Sequence, residues 1–162
     1  MKPPKKIYRY PEDTQILAET LAGRSTVLAG GCFDILHYGH LMFLKNARAQ
    51  GDALVLILES DEFIRARKKR EPIHTQYQRA EILSHLDMVE VVIMIPLFTR
   101  DTDYYNLVEF IRPATIVLTQ GDPQLKKKKE QADRYNSRLV TIDQYKGFSS
   151  SAIHNYASLS RD

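Results

Sequence analysis

The sequence predicts an α/β protein with a Rossmann-like, doubly wound sheet of about five parallel strands and helices on both faces. Two observations carry this prediction. Short apolar runs of the kind that form buried strands alternate along the chain with segments whose apolar residues recur at helical spacing. One of these runs, residues 53–58, contains no polar residue, as expected of a strand covered by helices on both faces. Alternation of this kind is typical of a parallel sheet.

Glycine and proline indicate where several of these elements end. Gly23 and Gly51 follow helical segments, as helix-ending glycines commonly do. Pro96 closes a strand and Pro113 closes a helix. The predicted strands are residues 26–29, 53–58, 89–95, 115–118 and 139–142. The predicted helices are residues 13–22, a segment that includes 41–47, and residues 76–86, 104–111, 125–135 and 149–157.

Length and composition indicate one domain of ordinary globular character. The 162 residues are 43% hydrophobic and 27% charged. We divide them into an N-terminal extension with a helix, residues 1–24, and a core, residues 25–158. The single cysteine, Cys32, excludes an internal disulfide and favours a reducing compartment, so we expect a cytoplasmic protein. We expect neither a membrane helix, which needs about 20 apolar residues, nor a secretory signal.

The positive charge is concentrated in three short segments. Of the 23 Lys and Arg residues, four lie in residues 2–9, five in 65–70 and four in 126–129. Such runs are either solvated surface or contacts for a phosphate-rich partner. We interpret residues 126–129 as a solvated helix face. For residues 65–70 two alternatives stay open, a ligand-binding segment and a mobile surface loop. No recognised nucleic-acid motif accompanies the runs, so a nucleic-acid partner is not expected.

The segment after the first core strand contains the main candidate site. In doubly wound sheets, ligands bind beyond the carboxyl ends of the strands. Gly30 and Gly31 allow the backbone to approach a bulky ligand closely. His37 and His40 lie three residues apart, with Gly39 between them, at a predicted helix start, so both imidazoles face the same way. A helix N-terminus with two imidazoles suits the oxygens of a polyphosphate.

Other phosphate-binding and metal-binding motifs do not fit this sequence. It contains neither the GxxxxGK[ST] of a P-loop nor the GxGxxG of a dinucleotide site. A histidine pair at this spacing, without nearby cysteines or a third histidine, is a poor zinc site, so we predict no metal held by the protein itself. Cys32 lies beside the histidines, and we expect a small buried residue there with no catalytic role.

Residues 31–40, GCFDILHYGH, resemble the HxGH signature of the cytidylyltransferase-like nucleotidyltransferases. They are similar in particular to the glycerol-3-phosphate cytidylyltransferase and heptose-1-phosphate adenylyltransferase branches. The resemblance continues in order through residues 51–55, 60–63, 78–79, 121–122 and 147–153, so that it covers nearly the whole chain. HxGH alone is weakly specific, whereas five motifs in the right order are strongly specific.

The resemblance implies an enzyme that transfers a nucleoside monophosphate from CTP or ATP to a phosphorylated sugar or polyol and releases pyrophosphate. A divalent metal, usually Mg²⁺, would accompany the triphosphate. The glycerol-phosphate branch carries arginine at the positions of Gln144 and Asp87, so the base and the acceptor stay open. A nucleotide-binding module without catalysis is the alternative. The resemblance implies no nucleic-acid or membrane partner, and a homodimer is an expectation because related enzymes often form one.

The resemblance also implies roles for individual residues. His37 and His40 would stabilise the transition state at the α-phosphate, and Asp34 would position the site. Arg79 would lie near the nucleotide phosphates or the acceptor, so these four residues are the predicted catalytic set. Arg67 and Lys69 are predicted to grip substrate phosphates. The residues predicted to bind the nucleotide are Gly30, Gly31, Cys32, Phe33, Gly39, Gly121, Asp122, Ser149, Ser150 and Ser151.

Overall fold

The apolar runs of the sequence form the strands of one sheet, and the amphipathic segments between them form helices. The computed structural model describes residues 6–145, 147–149, 152, 153, 155 and 156. In chain order its elements are β1 (Ile7–Arg9), α1 (Thr14–Leu21), β2 (Thr26–Gly31), α2 (Tyr38–Arg48), β3 (Ala53–Leu58), α3 (Asp61–Lys68), α4 (Gln76–Ser84), β4 (Val91–Met94), α5 (Asp101–Ile111), β5 (Thr115–Thr119), α6 (Leu125–Arg134) and β6 (Arg138–Ile142).

All strand pairs in the sheet are parallel, and the strand order is β1-β4-β3-β2-β5-β6. From β2 the chain moves outward through β3 to β4, and it then crosses back to β5 on the other side of β2. The order therefore reverses between β2 and β5. Open sheets of this kind form a crevice at the carboxyl ends of the strands beside such a reversal. The predicted doubly wound architecture is confirmed, and the crevice lies at the end of β2.

Helices cover the sheet on both faces. One core cluster joins strand residues to α2 and α4, and a second cluster joins the opposite strand faces to α1, α5 and α6. In β3, Leu54 and Leu56 belong to the first cluster, whereas Val55 and Ile57 belong to the second. Both faces of this strand are buried, which explains its unbroken apolar sequence. Each such side chain contributes about 1.5–3 kcal/mol by leaving water.

The sheet has six strands in the described residues, rather than the predicted five or so, because β1 pairs in parallel with β4. Tyr8, at the centre of β1, is only 2% exposed and packs in the second core cluster. A three-residue edge strand with one buried side chain is too short for a periodic pattern to reveal it. The predicted N-terminal extension thus contains the expected helix and also an edge strand of the sheet.

The basic residues 65–70 belong mostly to a helix that the sequence analysis did not predict. Ser60 caps α3, since its hydroxyl accepts a hydrogen bond from the Phe63 N–H at 3.1 Å. Acidic residues in the first turn and basic residues in the last turn complement the helix dipole. Lys69 ends the helix in a left-handed conformation, with φ of 56°. The alternative of a mobile loop is therefore wrong for residues 65–68.

Helices α1 to α6 are short, between 8 and 11 residues. No helix in the described part of the chain is long and apolar enough to cross a membrane. The helix predicted at residues 149–157 lies partly outside the described residues, and the described positions 152, 153, 155 and 156 are helical.

Candidate active site

A cavity of about 680 Å³ opens at the carboxyl ends of β2, β3 and β5, where the fold predicts a ligand site. This volume lies within the range of small-molecule sites. Gly30 and Gly31 of β2, Glu59 after β3 and Thr119 of β5 line it. The turn after β2, together with residues of α3, α5 and α6, supplies much of the remaining lining. The described carboxyl-terminal residues Phe148 and Ser149 also border it.

We call Phe33, His37, Gly39 and His40 the histidine wall. His37 caps the N-terminus of α2, where its Nδ1 accepts a hydrogen bond from the His40 N–H at 3.3 Å. The two imidazoles stack with 3.8 Å between centroids and 18° between planes. The Phe33 ring packs against His40 at 5.2 Å. All four residues line the cavity, so the predicted convergence of the two imidazoles is observed.

Glycine at position 39 lets the backbone pass close to the imidazole of His37. A Cβ there would lie 3.1 Å from two atoms of that ring and 3.2 Å from the Phe148 Cβ. Contacts this short would require the ring or Phe148 to shift by a few tenths of an ångström. Phe33 contributes a second local constraint, since its φ of 47° is left-handed and costs a non-glycine residue about 1–3 kcal/mol.

Both imidazoles of the histidine wall are uncharged near neutral pH. Burial lowers the pKa of His37. Burial, and then the neighbouring His37, lower the pKa of His40 to about 4, against a smaller opposing effect of the Ile35 backbone. Because Nδ1 of His37 accepts a hydrogen bond, the proton of its neutral ring is on Nε2, which is left as a donor. Neutral donors of this kind suit phosphate oxygens.

Asp34 is 2% exposed and fastens the turn after β2 to the segment before α4. Its carboxylate accepts hydrogen bonds from the Ile73 N–H at 2.9 Å and the His74 N–H at 3.3 Å, and it pairs with Arg70. Burial alone would raise the pKa of Asp34, but Arg70 and the two N–H groups hold it below its usual value. Both carboxylate oxygens are therefore engaged, which fits the predicted positioning role.

Arg79 lies beneath the cavity rather than in its lining. It is 1% exposed, and its guanidinium donates to the Cys32 carbonyl at 2.6 Å, the Glu59 carbonyl at 2.9 Å and the His74 carbonyl at 3.1 Å. It also pairs with the Asp61 carboxylate at 2.7 Å. The sequence predicts that Arg79 lies near the nucleotide phosphates or the acceptor, and the structure places its unexposed side chain next to the cavity lining but outside it. Arg79 is a positioning residue that joins the turns after β2 and β3.

We call Glu59, Arg67, Tyr104 and Lys128 the charged wall; these residues line the cavity. The Tyr104 hydroxyl donates to Glu59 Oε1 at 3.0 Å. The Lys128 ammonium lies 5.9 Å from the centroid of the Tyr104 ring. Residues 126–129 are thus not a uniformly solvated face, because Lys128 is half-buried against this wall.

Burial disfavours charge at three groups of the charged wall. It raises the pKa of Glu59, and Tyr104, Lys128, Arg79 and Arg67 oppose that rise. Burial and the adjacent Glu59 raise the pKa of Tyr104. Burial lowers the pKa of Lys128, against Glu59 and Asp122. Glu59 and Lys128 each favour the charged form of the other, against the effect of burial.

Of the two residues predicted to grip substrate phosphates, only one lines the cavity. Arg67 lines it, whereas Lys69, the left-handed residue that ends α3, is not part of the lining. The neighbours Lys68 and Arg70 line it instead. The helical spacing of α3 explains this, since a side chain two residues after Arg67 points away from the same face.

The remaining predicted residues fall into three groups. Asp122 and Ser149 line the cavity, and so do Gly30, Gly31, Cys32 and Phe33. Gly121 is outside the lining, in a turn where its φ of 81° favours glycine. Ser150 and Ser151 lie outside the described residues. Burial, and then Glu59, raise the pKa of the Cys32 thiol, which therefore stays protonated and is a poor nucleophile.

Glu59, Tyr104 and Lys128 have no function predicted from the sequence. Glu59 could have been singled out by its place in the sequence, because it directly follows β3, and functional residues of parallel sheets lie just after the strands. Tyr104 and Lys128 offered no such signal. Their places depend on how α5 and α6 pack over the carboxyl edge of the sheet.

A model of the cytidylyltransferase-like family matches residues 28–155. The chain is similar to the bifunctional protein HldE of Geobacter metallireducens, with 36% identity over 141 residues, 85% of this chain and 28% of that relative. The chain therefore spans little more than a quarter of that protein. It is also similar to the FAD synthase of Thermococcus kodakarensis, with 45% identity over 121 residues, 72% of this chain and 78% of that enzyme.

A solved structure shows the same architecture. The lipopolysaccharide core biosynthesis protein of Thermoplasma volcanium matches with a TM-score of 0.64 and 27% identity, covering 76% of this chain and 99% of that one. The family match begins in β2 and extends past β6, so it includes the histidine wall and the charged wall. The chain belongs to the cytidylyltransferase-like family of nucleotidyltransferases.

Proposed function

We propose that this protein transfers a nucleoside monophosphate from CTP or ATP to a phosphorylated sugar or polyol and releases pyrophosphate. The observation that carries the proposal is the stacked pair of neutral imidazoles at the N-terminus of α2, within a cavity whose other wall is cationic. The similarity to an FAD synthase, named for a dinucleotide product, also supports a nucleotide donor.

In this reaction the histidine wall binds the triphosphate. A phosphate oxygen of the acceptor attacks the α-phosphorus, the bond to the β-phosphate breaks, and pyrophosphate leaves. Nε2–H of His37 and the imidazole of His40 donate to oxygens on which negative charge increases, aided by the helix N-terminus.

The nucleotide enters as its magnesium complex, so the metal is part of the substrate. In the described ranges, no group of three or more His, Cys, Asp or Glu side chains could hold a metal ion. The carboxylate of Asp34 is engaged by Arg70 and two backbone N–H groups. Ser149 and Asp122, which border the cavity, are proposed to contact the nucleotide. A cytoplasmic location and a homodimer stay predictions.

A nucleotide-binding module without catalysis is the second candidate. The observation that favours it is Gln144, which lines the cavity at a position where the glycerol-phosphate branch that this sequence resembles carries arginine. Such a protein would bind a triphosphate and release no pyrophosphate with any acceptor.

Two measurements test these candidates. Thermal unfolding with magnesium and ATP, CTP, GTP or UTP identifies the donor, because a ligand of the native state raises the Tm. Pyrophosphate release is then measured with that donor and a set of sugar and polyol phosphates. We expect a rise in Tm with CTP or ATP and turnover with at least one acceptor. A rise without turnover would favour the module, and no rise with any triphosphate would contradict both candidates.

A further inference from the structure

The mechanism above leaves the buried carboxylate of Glu59 unused. Glu59 directly follows β3, is held beside β2 by the hydrogen bond from its N–H to the Gly31 carbonyl at 3.1 Å, and lines the cavity. Its Oε1 accepts from the Tyr104 hydroxyl at 3.0 Å. Its Oε2 is buried and has no hydrogen-bond partner within the described part of the chain. A buried acceptor without a donor costs about 1–3 kcal/mol, so a ligand that donates to it gains affinity.

The charges around Glu59 restrict what that donor can be. Arg67, Arg79 and Lys128 all act on this one carboxylate, and each opposes the rise that burial causes in its pKa. Arg79 is already paired with Asp61, so a ligand ammonium would add a third positive charge beside Arg67 and Lys128. A neutral hydroxyl would satisfy Oε2 without that repulsion.

The same wall contains partners for a phosphate group. Arg67 and Lys128 both line the cavity, and a phosphate monoester accepts charge-assisted hydrogen bonds from such cations. The charged wall therefore combines cations for a phosphate with one oxygen acceptor for a hydroxyl. The histidine wall, with its neutral donors, is the part of the cavity assigned to the triphosphate.

We propose that the charged wall is the acceptor subsite, and that Glu59 selects phosphate monoesters carrying a neutral hydroxyl close to the phosphate over those carrying an amine. This inference rests on the proposed function and adds to it the residue that determines acceptor class. Glu59 binds the hydroxyl of the acceptor and takes no part in the bond exchange at phosphorus.

The test measures equilibrium binding of three probes by calorimetry, in the presence of a non-hydrolysable triphosphate. Glycerol 3-phosphate, ethyl phosphate and phosphoethanolamine share a phosphate monoester and differ in the group next to it. We expect glycerol 3-phosphate to bind about tenfold or more tightly than ethyl phosphate, as a hydrogen bond to a charged group predicts. Phosphoethanolamine should bind no better than ethyl phosphate.

Variants then assign the preference to Glu59. In Glu59→Ala the preference for glycerol 3-phosphate over ethyl phosphate should disappear. Glu59→Gln, which has nearly the same shape and keeps an acceptor oxygen, should retain part of it and provides a result if the alanine variant fails to fold. Glu62→Ala is the matched control, because that carboxylate is 62% exposed on α3 and outside the cavity lining.

Three results would overturn the inference while leaving the proposed function intact. They are equal binding of the three probes, tighter binding of phosphoethanolamine, and an unchanged preference in both Glu59 variants, each with a normal rise in Tm on adding the triphosphate. Absence of probe binding under the same conditions would overturn it as well. Failure of the proposed function is a different result, since then either no triphosphate would bind or pyrophosphate would not be released with any acceptor.

Discussion

The two walls of the cavity handle charge in opposite ways. In the histidine wall, burial lowers the pKa of both imidazoles and His37 lowers that of His40 further, and the residues come from a single stretch of ten, 31–40. In the charged wall, burial opposes charge at Glu59 and Lys128, and each of them favours the charged form of the other, while Arg67 also favours the charged form of Glu59. These residues come from the end of β3 and from α3, α5 and α6.

This difference suggests a division of labour. Neutral N–H donors can stabilise the negative charge that grows on phosphate oxygens during the reaction. They carry no charge of their own that the bound substrate would have to balance. Fixed cations beside a carboxylate select a substrate by its charge and its hydrogen-bonding groups. The two walls are connected beneath the cavity by Arg79, which donates to the carbonyls of Cys32 and Glu59.

Removing the Arg79 guanidinium, and with it this connection, should have the largest effect on stability. Arg79→Leu leaves three carbonyls without their donor and Asp61 without its partner, so we expect the free energy of unfolding to fall by about 3–5 kcal/mol. Urea unfolding measures it. Arg65→Leu removes a more exposed guanidinium that pairs with Glu71, and should lower the unfolding free energy much less. Equal losses in the two variants would contradict the connecting role.

Removing one imidazole of the histidine wall should slow the reaction while the charged wall stays intact. In His40→Ala we expect pyrophosphate release to fall about a hundredfold or more, because a donor to the transition state is lost. Steady-state rates measure this, and thermal unfolding shows whether the variant is folded. His85→Ala removes an exposed histidine at the end of α4 and should leave the rate unchanged. A folded His40→Ala protein with the normal rate would refute the assigned role.

Acidification should act on the histidine wall before it protonates Asp34. The pKa of His40 falls on folding from 6.5 to about 4, so the unfolded chain takes up its proton first as the pH decreases. The associated stability is present above pH 6.5 and is lost progressively down to about pH 4, by roughly 2–3 kcal/mol for this half-buried group.

The measurement compares unfolding free energies of the wild type and His40→Gln across this range. The difference between the two proteins isolates His40 from Glu59, whose raised pKa acts in the opposite direction. Asp34 has a lowered pKa and loses its contribution below its ordinary value of 3.8, outside this window. A constant difference between pH 7 and pH 4 would show that His40 titrates normally.

The smallest expected effect concerns the hydroxyl that holds Glu59. Tyr104→Phe removes the hydrogen bond to Oε1, and we expect a loss of about 1 kcal/mol in unfolding free energy. Tyr105→Phe is the control, because its hydroxyl bonds to Glu130 on the exposed surface and should contribute less. If Tyr105→Phe lowers the unfolding free energy as much as Tyr104→Phe does, the hydrogen bond to Glu59 contributes no more than one on the exposed surface. Differential scanning calorimetry resolves changes of this size.

The same contrast explains what the sequence could predict. The parallel sheet, its two covered faces and the pairing of His37 with His40 follow from local periodicity and spacing, and all are observed. The contacts of Arg79 with Cys32, Glu59 and Asp61, and the contact of Glu59 with Tyr104, join residues 18 to 47 positions apart in the chain. No local sequence pattern predicts these contacts, because they depend on the order of the strands in the sheet. The strand β1 escaped prediction because three residues are too few to show a period.

The buried guanidinium beneath the cavity has a consequence for mutational surveys of this protein. A library scored by growth or product yield would rank position 79 beside 37 and 40, although the Arg79 side chain is not part of the cavity lining. Scoring cellular abundance in parallel would move it into a different class, together with Asp61. Without the abundance measurement, a residue that supports the pocket would be mistaken for a catalytic residue.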